Sequence, residues 1–116
     1  MAIEVVEIPI VDIPEGRALR VKVANRAILA VREGETFAVF LDRCPHKGMS
    51  MRHGTVLEGR LVCPYHQYPF ALADGTTTMR RCPPATQFPF EMRGEELVVT
   101  VDFDVIDRVY QEPLDY

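Results

Sequence analysis

Two short clusters hold the residue types that bind metals: Cys44-Pro45-His46 and Cys63-Pro64-Tyr65-His66, with sixteen residues, Lys47 to Val62, between His46 and Cys63. Two thiolates and two imidazoles on two tight loops outline a metal site. Each Cys precedes a Pro, whose ring fixes φ and stiffens the loop. Gly48 and Gly75 sit where the backbone has to turn sharply. A single zinc ion takes two Cys and two His as a tetrahedron, but zinc knuckles usually pair Cys with Cys and His with His. One Cys and one His from each loop suits a binuclear iron centre, in which one iron takes both thiolates and the other both imidazoles.

The elements that must position these loops are short. The chain has 116 residues, 47% of them hydrophobic and 26% charged, which is one ordinary globular domain with no room for a separate catalytic one. No apolar run approaches the ~20 residues of a membrane helix. The start, Met1-Ala2-Ile3-Glu4-Val5, shows no signal peptide, so a cytoplasmic protein is expected. A net charge of −4 argues against nucleic acid and anionic membranes as partners. Three cysteines do not make a disulfide framework. Nine prolines and seven glycines cut the chain into short pieces, which favours an all-β fold. Ala18–Val23 alternates, Ala27–Val31 is a buried-looking run, and Thr36–Leu41 follows the turn Glu33-Gly34-Glu35. Phe88–Met92 and Leu97–Val101 flank Arg93-Gly94-Glu95-Glu96 as a further hairpin. Helical periodicity is weak, with Phe103–Tyr110 the best candidate.

The middle differs from the ends. From Arg43 to Cys82 strands are hard to find, yet this segment holds every His and Cys. It carries six basic residues against two acidic ones, a net +4, while the remainder carries seven against fifteen, a net −8; together these give the −4 of the whole. The expected organisation is a basal β body of about 1–41 and 86–105, a cluster-binding insert of about 42–85, and a C-terminal tail, 102–116. His53, between Arg52 and Gly54, reads as a solvated loop residue. Cys82, outside both pairs, reads as a loop residue packed near the metal site, and with no His left to pair with it, not as a nucleophile.

The central segment resembles a Rieske domain. Cys44-Pro45-His46-Lys47-Gly48 continues through Met51 to Gly54 with the family's spacing of glycine and bulky apolar residues. Cys63-Pro64-Tyr65-His66 leads to Phe70 and Asp74-Gly75, and Arg81-Cys82-Pro83-Pro84 is similar to the proline-containing third loop that covers the cluster. The likeness runs roughly from Phe37 to Val101. It implies an antiparallel β sandwich or barrel body with a small cluster-binding subdomain inserted. It also implies one [2Fe–2S] cluster held by Cys44, His46, Cys63 and His66, with the histidines at the tip. Respiratory members carry an extra disulfide, but the matching positions here are Met49 and Tyr65. They also place Ser and Tyr hydroxyls near the cluster, where this chain has Tyr68 and Phe70. Oxygenase-type members often have Trp-His-Gly in place of Tyr65-His66-Gln67, which leaves the shape of the second loop open. Histidine for thiolate makes the oxidised cluster less negative and raises its potential; without the hydroxyl donors, the low end of the range, about −150 mV, is expected.

The resemblance further implies a stand-alone ferredoxin, carrying single electrons from an NAD(P)H-dependent flavoprotein reductase to a terminal oxygenase. The chain itself has no Gly-x-Gly-x-x-Gly dinucleotide motif. A small redox subunit of the nitrite-reductase type and a zinc-stabilised interaction module are the alternatives. Arg43, Lys47, Arg52, Arg80 and Arg81 are the expected docking cations for an acidic partner.

Overall fold

A computed structural model describes residues 2–79 and 81–112. Its strands form three antiparallel three-stranded sheets, so the fold is all-β as expected. Strands β1 (Ile3–Pro9), β8 (Phe90–Arg93) and β9 (Glu96–Asp102) form one sheet in the order β1-β9-β8; β2 (Ala18–Val23), β3 (Arg26–Glu33) and β4 (Thr36–Leu41) form the second in that order. The third, in the order β5-β6-β7, joins Thr55–Leu57, Arg60–Val62 and Pro69–Ala71. A 3-10 turn at Ile10–Asp12 follows β1, and a helix α1, Phe103–Gln111, follows β9.

The alternating segments fold where the pattern puts them, because each presents one apolar face. β2 and β4 match the expected bounds, and β3 is longer by one residue before Ala27 and two after Val31. β1 escapes the pattern because only Ile8 of its seven residues is buried; it is held by pairing with β9, from Ile3 opposite Asp102 to Pro9 opposite Glu96. The third sheet escapes it because three residues are too few to show a period. Its one local signal is Glu58-Gly59, where both residues have positive φ (52° and 78°) and turn β5 into β6.

Strands β3 and β4 are buried on both faces. Ile28 and Ala30 of β3, with Val39 and Leu41 of β4, pack into one core beside Leu97, Val99, Val101 and Ile106. The alternate residues Leu29, Val31, Ala38 and Phe40 pack into a second core with Met51, Val56, Leu61, Phe70, Leu72, Cys44 and Cys63. The continuous apolar run Ala27–Val31 is therefore a strand with two apolar neighbours.

Helix α1 begins at Asp102, whose carboxylate accepts from the Asp104 N–H at 2.9 Å. Phe103, Ile106 and Val109, one helical turn apart, seat it on the first core, with Ile106 fully buried. The expected helix thus forms and runs one residue further, to Gln111. The rest of the acidic tail, residues 113–116, lies outside the described residues, as does Arg80. Among the described residues no helix is long and apolar enough to cross a membrane.

Candidate metal centre

The two ligand loops are built alike. In the first, between β4 and β5, the Cys44 N–H donates to the Met49 carbonyl (2.8 Å) and the Gly48 N–H to the Cys44 carbonyl (2.6 Å). In the second, between β6 and β7, the Cys63 N–H donates to the Tyr68 carbonyl (2.9 Å) and the Gln67 N–H to the Cys63 carbonyl (3.0 Å). Each Cys thus opens a turn closed four and five residues later. The residue four positions on has positive φ in both: Gly48 at 75° and Gln67 at 62°. The second loop, left open by the sequence, therefore has the shape of the first without a glycine. Holding a non-glycine there costs about 1–2 kcal/mol. The Gln67 side chain, through Nε2 to the Pro64 carbonyl at 3.1 Å, ties the turn across.

The first loop is also stapled at its base. The Asp42 carboxylate, on a buried residue, accepts from Ser50 Oγ (2.7 and 2.9 Å), the Met51 N–H (2.8 Å) and Arg20 Nε (2.8 Å). Three donors on one buried carboxylate fix both ends of the segment that carries Cys44 and His46. Sequence reasoning passed over Asp42; its signal is a carboxylate directly after the apolar run of β4. The third loop is closed by Gly75, at φ 79°, where an added Cβ would sit 2.3 Å from the Ala85 carbonyl oxygen. Asp74 beside it accepts from the Thr76 hydroxyl and N–H, which hold its carboxyl below the usual range.

The structure brings Cys44, His46, Cys63 and His66 together. Both cysteines are buried. The interaction between the two thiols lowers Cys63 to about 6, with further help from the N–H groups of Tyr65 and His66; the same interaction and burial raise Cys44. The imidazoles of His46 and His66 meet edge to face, centroids 4.7 Å apart and planes at 88°. His66 is exposed, but His46 is buried under the Tyr68 ring, stacked at 4.0 Å and 12°. Burial, then the charges of His66 and Lys47, hold His46 below its ordinary value.

The Nδ1 atom of His46 is buried and has no hydrogen-bond partner within the protein. A buried polar atom without a partner is costly, and a metal ion is a partner for it. Among the described residues no three His, Cys, Asp or Glu side chains converge on a single ion. The donors come instead as a thiol pair and an imidazole pair, which fits a group with two irons.

Other expected residues fall elsewhere. His53 is exposed and accepts from Arg52 Nε at 3.2 Å. Cys82 is half-buried beside the second core; burial, then the charge of Cys63, push its thiol up. Lys47, Arg52 and Arg81 are exposed, as docking cations must be. Arg43 is not: its guanidinium donates to the Val109 carbonyl at 2.8 Å and lies 4.4 Å from the Tyr110 ring centroid. It is used inside the molecule and leaves the docking set.

Comparison with known proteins agrees with this geometry. The Rieske [2Fe–2S] domain model matches residues 4–99. The chain is 32% identical over 93 residues to the 3-phenylpropionate/cinnamic acid dioxygenase ferredoxin subunit of Escherichia coli K12, covering 78% of this chain and 87% of that one. It is 30% identical over 98 residues to protein TIC 55, chloroplastic, of Arabidopsis thaliana, of whose length it spans only 18%. Among solved structures, the ferredoxin of carbazole 1,9a-dioxygenase from Nocardioides aromaticivorans IC177 superposes with a TM-score of 0.72 at 21% identity, over 82% of this chain and 95% of that one. A candidate NADH-dependent nitrite reductase small subunit from Mycobacterium tuberculosis superposes with 0.75 at 15% identity, over 88% and 98%. Paired thiols and paired imidazoles on twin loops, within a match that takes in most of the molecule, have one common source: the chain belongs to the Rieske [2Fe–2S] domain family.

Proposed function

We propose that Cys44 and Cys63 bind one iron, and His46 and His66 the other, of a single [2Fe–2S] cluster, and that the chain is a one-electron carrier. The observation that carries this reading is the unpartnered buried Nδ1 of His46, packed edge to face with His66 and carried on loops that also bury Cys44 and Cys63. When bound, the cluster supplies a one-electron couple with no protein group of its own reacting. The chain's residues do the rest. The backbone N–H groups of His46 and Lys47 on Cys44, and of Tyr65 and His66 on Cys63, favour thiolate at the sulfurs. The Asp42 staple holds the first loop in register. Tyr68 keeps water from His46, and His66 remains the exposed edge.

Electrons come from an NAD(P)H-dependent flavoprotein reductase and go to a terminal oxygenase. Support for the oxygenase lies in the relatives that are dioxygenase ferredoxin subunits, and in a similar ferredoxin solved in complex with its oxygenase in carbazole 1,9a-dioxygenase (TM-score 0.73, 24% identity). A second reading, a small subunit held permanently in a reductase complex, rests on the superposition with the nitrite reductase subunit candidate. Copurification separates the two, since a carrier leaves its partners.

The test of the carrier reading is interprotein electron transfer against ionic strength. Arg52→Glu and Arg81→Glu should slow transfer to the oxygenase and flatten its salt dependence, leaving the midpoint potential nearly unchanged, because exposed charges steer association and are screened over about 10 Å at 0.1 M salt. A rate insensitive to salt and equal in both variants would mean apolar docking. Cys82→Ser should keep the visible spectrum and iron content of the wild type; loss of iron in that variant would place Cys82 among the ligands.

A further inference from the structure

Helix α1 lies beyond residues 4–99, the part that the family model matches, yet it contacts the start of the first ligand loop. Its last turn presents the Val109 carbonyl and the Tyr110 ring to Arg43, the residue immediately before Cys44. The same ring carries a second guanidinium, that of Arg26, at 4.3 Å. Arg26 Nε is buried with no hydrogen-bond partner, and the ring face gives this half-buried guanidinium a cation–π contact. The backbone closes the triangle: the Asp42 N–H donates to the Ala27 carbonyl at 3.0 Å, which ties the start of the first ligand loop to the start of β3.

We propose that α1 is a positioning element of the cluster, with Tyr110 acting through Arg43 on the first ligand loop. This rests on the ligand set proposed above. Tyr110 places an aromatic face against two like charges that would otherwise repel across the gap. Arg26 begins a strand and is held by its ladder, whereas Arg43 sits in a loop. Loss of the ring therefore displaces Arg43, and with it the backbone at Cys44. Asp42 holds the loop from the core side, and Arg43 holds it from the helix side. The guanidinium is at the same time led away from the sulfurs toward the helix C-terminus, where a cation is favoured.

The experiment uses holoprotein of full length and the variants Arg43→Ala, Tyr110→Ala, Tyr110→Phe and the double Arg43→Ala/Tyr110→Ala. The readouts are the visible circular dichroism and reduced-state EPR of the cluster, and the rate of iron release to a chelator. Tyr110→Phe keeps the ring and should match wild type. Arg43→Ala and Tyr110→Ala should each shift the spectra in the same way and release iron faster, by about tenfold. The double variant should be no worse than Arg43→Ala, because that change already removes both the Val109 and the Tyr110 contacts of the guanidinium. An Arg43→Ala protein with wild-type spectra and release rate, additive effects in the double variant, or a Tyr110→Phe protein as impaired as Tyr110→Ala would each overturn the proposal. Arg43 fills no place in either core, so its variant decides the matter even where Tyr110→Ala does not fold. Wild-type protein without iron would instead overturn the ligand set. Hydrogen exchange at the Cys44 and Gly48 amides in the same variants then tests the link by itself: faster exchange supports it, and unchanged exchange overturns it.

Discussion

Cys63→Ser, Cys44→Ser and His66→Ala should each give a folded but colourless chain, against two irons and two acid-labile sulfides in the wild type. The loss is expected to be complete because in the proposed ligand set each iron would have only two protein ligands, and removing one would leave it held by a single bond from the chain. Folding should survive. The second core is filled mainly by Phe40, Met51, Leu61 and Phe70, and a Ser hydroxyl, smaller than the thiol, fits the space without a clash. His46→Cys differs in kind. It adds a thiolate charge, so any cluster that it retains should have a lower potential than the wild type. Iron and sulfide analysis with the visible spectrum checks the first three, and voltammetry the fourth. Stoichiometric zinc without iron in freshly purified wild-type protein would overturn the assignment.

The midpoint potential should lie near the low end of the Rieske range, about −150 mV, and change little between pH 6 and 9. Hydrogen bonds to the sulfurs favour the more negative reduced state and raise the potential. The hydroxyl donors of high-potential members are replaced here by Phe70, a fully buried side chain with no donor, and by Tyr68, whose ring lies flat on His46. The two histidines in place of thiolates would keep the cluster in the Rieske range rather than near about −400 mV, where all-thiolate ferredoxins of the plant type lie. Protein-film voltammetry across that pH range is the measurement. A value near +300 mV would mean that another donor has taken the place of the missing hydroxyls.

The chemistry of this chain was easier to read than its scaffold. Four ligand candidates announce themselves by type and spacing, since few other arrangements place Cys and His alternately on two Pro-stiffened loops. The strands with one solvated face were legible for the same reason that they fold. The β5–β7 sheet was not, since its period is too short to see, and β1 was not, since its stability comes from a partner ninety-odd residues away. The staple at Asp42 depends on Arg20, Ser50 and Met51 meeting in space, which no local pattern records. Arg43 shows the reverse error: counting charge near the loops made it a surface cation, whereas its side chain turns inward to α1. Gln67 occupies a left-handed position that composition would assign to glycine, and only the hydrogen bonds around it explain why.

The double burial of β3 and β4 bears on how electrons would be delivered. Leu29, Val31 and Phe40 form the floor beneath the ligand loops, and Ile28, Ala30 and Val39 form the roof of the other core. The ligand-bearing end cannot swing on the body without stripping one of these layers. A carrier built this way has no moving arm, so it must leave one partner and diffuse as a whole to the next. Its residence time then limits the flux. At a typical turnover of about 10 per second, each docking has to end within about 100 ms. With association near 10⁷ M⁻¹s⁻¹, that corresponds to a dissociation constant of about 1 μM or weaker for either partner. Tight binding, so often the mark of a good interface, would bring such a shuttle to a halt.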